Sequence, residues 1–214
     1  MPLQMKSHNM VNTGSNQVPT GDVAGVTSSQ RPHLPGDLAM WFFILAELTV
    51  FAIFIIGFAV TRQLYPDMFQ QGQTYLHPVA GGINTIALIS SSCLVALSLN
   101  AVKHSRQDYA AALLGGALLT AGVYLAVKSW EYNELIQQGF GLSTNTYFTL
   151  YFFITAFHFM HVILGMIILG SMAYKTTRGA YQGKSLSGFE SGACYWHMVD
   201  LVWIIIFPLL YVIN

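Results

Sequence analysis

Charge is what this sequence has least of. Nine lysines and arginines face nine aspartates and glutamates, and together they make up 8% of the 214 residues, where a soluble domain carries about a quarter. Mean hydropathy is +0.51. The two values exclude an ordinary water-soluble globule and imply a membrane protein. Cysteine is nearly as sparse. Cys93 and Cys194 fall in different apolar stretches, no CxxC pair occurs, and no chemistry is assigned to them. The pattern Glu-x-x-His is missing altogether, so the ligand set of a di-iron carboxylate bundle is excluded. No continuous apolar run follows Lys6, so the first 35 residues do not read as a signal peptide.

Long apolar runs, by contrast, dominate the chain. Five stretches, at about 37–61, 82–102, 110–130, 146–174 and 187–212, each reach the roughly 20 residues needed to cross a hydrocarbon core. The loops between them are short, so the expected fold is all-α: five transmembrane helices, antiparallel to their neighbours, in one bundle over residues 36–214. Residues 1–35 are rich in Ser, Asn, Gln, Thr, Gly and Pro and are expected to form a disordered cytoplasmic tail. Lys and Arg are distributed unevenly. One side carries Lys6, Arg31, Lys103, Arg106, Lys175, Arg178 and Lys184, and the other only Arg62 and Lys128. That asymmetry places the N-terminus in the cytoplasm. The acidic "EYNE" at 131–134 is then expected to face the far side. Trp41 and Tyr174 are expected at one membrane interface, and Tyr65, Trp130, Tyr147 and Tyr211 at the other. The small residues of "SSSC" at 90–93, with Gly115 and Gly116, are expected to let helices approach closely.

Ionisable groups at membrane depth are costly, which makes them informative. Glu47 lies about 15 Å along the first span. His158 and His161 lie midway along the fourth, and His197 and Asp200 midway along the fifth. The spacing of three puts each pair on one helix face, and His197 with Asp200 could close a hydrogen bond within its own helix. Two readings follow. The groups satisfy one another as a structural polar layer, or they hold a cofactor. Two stacked haems would need axial histidines about four turns apart on each of two helices, which His158 and His161 do not supply. A single haem between His158 or His161 and His197 is geometrically allowed, and would make the chain a membrane electron carrier.

The stretches "MWFFILAELTVFAIF", "AVKSWEYNEL", "FHFMHVILG" and "FESGACYWHMVDLVW", in that order, resemble subunit III of the haem–copper respiratory oxidases. The resemblance covers all five spans from about Gly36. It includes Glu131, Glu190, Trp196 and Trp203 as motif residues. The five-span form is similar to subunit III of bacterial quinol oxidases and to NorE-type accessory proteins of nitric oxide reductase. It lacks the two additional N-terminal helices of the seven-helix versions, against which the family's phospholipid lies. The resemblance implies a multi-pass subunit of the bacterial inner membrane that is non-catalytic by itself and binds no haem, copper or other metal. Haem and copper would belong to the catalytic partner of an oxidase or nitric oxide reductase. Phospholipid would be a ligand, and no nucleic-acid partner is expected. The family's mid-membrane carboxyl, linked to proton uptake, corresponds to Glu47. The resemblance makes His158 and His161 structural.

Overall fold

The computed structural model describes residues 38–181 and 186–213; the expected polar tail lies outside them. Six α-helices follow in order: α1 Leu38–Leu64, α2 Pro66–Gln73, α3 Pro78–Lys103, α4 Gln107–Gln137, α5 Thr146–Thr177 and α6 Leu186–Phe207. A π-helical turn over Pro208–Val212 continues α6. All but α2 are long and apolar enough to cross a membrane. The described residues contain no strand. The all-α, five-span reading therefore holds, with α2 added. Its eight residues are too polar to span and lie at the end of the bundle that also carries the α4–α5 loop and the C-terminal turn.

Local chemistry sets the helix ends. Pro66 and Pro78 open α2 and α3 in the first turn, where a missing N–H costs nothing. The Asn145 side chain caps α5 by accepting from the Phe148 N–H at 2.9 Å, one of the donors that a helix start leaves unpaired. At the end of α4, Gly139 has φ +84°. The Phe140 N–H reaches back to Leu135 O at 2.9 Å, and the Gly139 N–H to Ile136 O at 3.0 Å. This paired closure needs a left-handed residue. The same pattern ends α5 at Gly179, and Ser105 supplies the left-handed position after α3.

Helices α3 and α4 form the most extensive pair, followed by α4 with α5 and α5 with α6. Small residues permit this. A Cβ on Gly165 would lie 2.7 Å from the Trp196 ring, so α5 and α6 can approach this closely only without one. The "SSSC" stretch does more than make room. Ser91 Oγ donates to Ala117 O at 2.8 Å between α3 and α4, which fixes their antiparallel register. Gly116 lies against Leu94, whereas a Cβ on Gly115 would meet nothing. Helix α1 is the least buried span. Its outer face carries Phe42, Leu45, Ile53 and Ile56, and it touches the rest mainly through α6 and α5.

Two expectations about the interfaces need correction. Tyr65, Trp130 and Tyr174 are exposed, whereas Tyr147 in the first turn of α5 and Tyr211 in the C-terminal turn lie at helix ends as expected but are buried against other helices. Tyr147 packs against Phe69 of α2 and Phe58 of α1, so α2 covers the ring. Of the acidic stretch 131–134, Glu134 is partly exposed and lies 3.2 Å from His77, but Glu131, like Lys128, is fully buried within the bundle.

Candidate functional site

Three polar clusters form inside the apolar bundle. The first joins α1 to α5. Glu47 Oε2 and His161 Nε2 are 3.0 Å apart, with the carboxyl side chain 20% and the imidazole 9% exposed. Glu47 has no ionisable neighbour within its own helical turn, and its partner comes from across the seam. The second ring nitrogen, Nδ1, lies 2.7 Å from Phe157 O. A carbonyl only accepts, so Nδ1 carries a proton. The Nε2–Oε2 bond then holds one further proton, placed either on the carboxyl or on an imidazolium. In both cases the pair has no net charge. That lowers the cost of its position at the edge of an apolar bundle. Phe51 and Phe157 pack around the imidazole at centroid distances of 5.3 and 4.6 Å.

The second cluster lies nearer the C-terminal end. Lys128 Nζ donates to Glu131 Oε2 at 2.8 Å, to Tyr151 Oη at 2.9 Å and to Tyr211 Oη at 2.8 Å, using all three of its N–H bonds. Tyr211 Oη donates to the Glu131 carboxylate at 2.8–2.9 Å. A buried charge pair persists only when its remaining donors and acceptors are met, and here the two phenols meet them. The π-helical turn that begins at Pro208 delivers Tyr211 to this place. Gln73 Nε2 of α2 donates to Leu210 O at 3.3 Å and Ile213 O at 3.0 Å, holding that turn.

The third cluster joins α3 to α6. His197 Nδ1 and Ser92 Oγ are 2.5 Å apart, and Ser92 also interacts with Asp200. The structure shows no His197–Asp200 hydrogen bond: the imidazole turns to the serine, and Asp200 Oδ1 is buried without a hydrogen-bond partner. His158 stands apart from His161. It is fully buried, stacked on Trp203 at 5.2 Å and edge-on to Tyr124 at 5.8 Å. Trp203 Nε1 donates to Thr85 Oγ1 at 3.0 Å. Trp196 fills the space above Gly165. Glu190 pairs with Lys103 at 3.1 Å at the opposite end of the bundle.

Sequence reasoning placed Glu131 among the motif residues but missed its partners Lys128, Tyr151 and Tyr211. The i, i+3 spacing of Lys128 and Glu131 at the end of a span was the available signal. Among the described residues no group of three or more His, Cys, Asp or Glu could hold a metal ion.

The fold and these clusters define an all-helical, multi-pass membrane protein in which Lys128 pairs with Glu131 and Glu47 with His161 inside the bundle. The family pattern of cytochrome c oxidase subunit III matches residues 36–214. Among curated relatives, cytochrome c oxidase subunit 3 of Thermostichus vulcanus is 30% identical over 183 residues, 83% of this chain and 87% of that protein. The Synechocystis subunit 3 is 29% identical over 185 residues, 85% and 78% of the two. The haem–copper oxidase subunit I+III of Aeropyrum pernix is 33% identical over 183 residues, which are 82% of this chain but 22% of that longer protein. The chain belongs to the cytochrome c oxidase subunit III family.

Proposed function

We propose that this chain is the cofactor-free accessory subunit of a haem–copper terminal oxidase in a bacterial cell membrane, assembling with the catalytic subunit and supporting its proton uptake through Glu47. The partner assignment is supported by the relatives' printed names, all of the oxidase class. In the Aeropyrum pernix relative, the name joins subunits I and III in one chain. Haem and copper reside in that partner. The same names favour an oxidase over a nitric oxide reductase. An N-terminus in the cytoplasm is supported by the Lys and Arg distribution. With Lys128 buried, Arg62 is the one basic residue left on the far side against seven on the near side, which sharpens the asymmetry. The open face of α1 is where lipid and the partner would meet the chain.

The observation that carries the proton-linked role is the 3.0 Å Glu47–His161 hydrogen bond, a partly exposed carboxyl–imidazole pair on α1 and α5. Other buried carboxyls lie deeper or are fixed by lysine. The test is Glu47→Gln in the assembled oxidase. Initial electron transfer should stay near normal while proton stoichiometry falls, or activity decays sooner during turnover. An assembled Glu47→Gln complex with unchanged stoichiometry and turnover lifetime would leave Glu47 as a packing residue.

A further inference from the structure

Several buried polar side chains have atoms without a hydrogen-bond partner, among them the Tyr147 hydroxyl and the Trp196 indole nitrogen, and three of them lie near one level on three different helices: Asn84 of α3, through both amide atoms, the Tyr124 hydroxyl of α4, and both ring nitrogens of His158 of α5. They converge. The Ser91–Ala117 hydrogen bond sets the α3–α4 register, and seven residues back along α3 and seven forward along α4, almost two turns each, bring Asn84 level with Tyr124. Tyr124 meets the His158 ring edge-on, and both pack on Trp203. Trp203 is fixed at this level by its bond to Thr85, next to Asn84 in sequence. Helix α4 packs against both α3 and α5, and an orphaned amide, phenol and imidazole on these three helices at one level are the lining that an internal water needs.

We propose that Asn84, Tyr124 and His158 form an internal water-binding site beside Trp203, in the middle of the bundle. The water supplies donors and acceptors that no protein group offers. An imidazole with one N–H and one bare nitrogen, a phenol and a carboxamide together present both kinds of partner. Tyr124 packs on Trp203 with ring centroids 5.0 Å apart, and Lys128 Nζ is 5.6 Å from the same ring centroid. The site therefore extends the Lys128–Glu131 cluster inward. It makes one polar core that begins at Tyr211, beside a pocket of about 220 Å³ lined by Gln70, Gln73 and Pro78, and ends at His158. This core is separate from the Glu47–His161 pair and does not depend on the role given to Glu47.

The sign of a conservative substitution separates a wet core from a dry one. Tyr124→Phe keeps the ring contacts and deletes the hydroxyl. In a dry core it removes an unpaired polar group and leaves stability unchanged or raised. With water bound it loses a hydrogen bond, and the full chain in lipid nanodiscs should melt about 2–4 °C lower. Asn84→Leu should do the same, and the double variant should lose less than the sum, because both act on one water site. A density map of the wild-type protein should show ordered water about 3 Å from a His158 ring nitrogen. Unchanged or raised melting in Tyr124→Phe, or a map that resolves other buried waters but none at His158, overturns the proposal. If a variant does not fold, the wild-type map decides.

Discussion

Removing the charge of Lys128 should be among the most destabilising single changes in this protein. In Lys128→Met the aliphatic stem keeps its approximate volume, but Glu131 stays fully buried with Tyr211 as its remaining donor, and Tyr151 loses the ammonium that donates to it. Breaking a buried pair from one side costs about 3–5 kcal/mol. At about 2–4 °C per kcal/mol for a chain of this size, melting should fall by roughly 6–20 °C. Replacing both charges removes the stranded carboxylate, so Lys128→Met/Glu131→Leu should recover much of that loss. The assay is thermal unfolding of the four forms in nanodiscs, followed by tryptophan fluorescence, which Trp203 beside the cluster should report directly. A strongly favourable coupling is expected because the residues share one network. If Lys128→Met shifts melting by less than about 2 °C, or the double variant equals the sum of the singles, the pair is not the closed network described.

Two further outcomes follow from the geometry. Glu47 should react with a hydrophobic carbodiimide, which attacks protonated carboxyls, if its bond to His161 holds the proton on the carboxyl. A wild-type protein that stays unlabelled while His161→Phe becomes labelled would place that proton on the imidazole. Gly165→Val should lower melting by several degrees, since overpacking costs about 1–3 kcal/mol and the added carbons meet the Trp196 ring. Gly115→Ala, whose Cβ meets nothing within 4 Å, should be silent, and equal effects at the two glycines would contradict the packing described.

The five spans were legible because hydrocarbon thickness imposes a minimum run of apolar residues, and α1, α3, α4, α5 and α6 each supply one. Pairings between helices were not legible, because they depend on the rotation of each helix about its axis, which an almost uniformly apolar span hardly encodes. Glu47 and His161 could be placed at similar depth, but their mutual contact could not. Lys128 was misplaced for a related reason. A basic residue two positions from the end of a span drawn at 110–130 counts toward the far side, and only the continuation of α4 to Gln137 shows that it lies well inside. Short α2 escaped notice because its Phe69 and Gly72 gain an apolar neighbour, Tyr147, from a helix more than 70 residues away.

The sequence separation within the Lys128 cluster has a consequence for how the chain is made. Glu131 follows Lys128 by three residues, Tyr151 by 23 and Tyr211 by 83. During synthesis α4 therefore meets the bilayer with opposite charges already one turn apart on the same face, able to neutralise each other before either phenol exists. Two lone charges would resist partitioning into lipid, whereas an adjacent pair enters at lower cost. The order of residues along the chain thus supplies Lys128 with its nearest partner, Glu131, first and with the two phenols later.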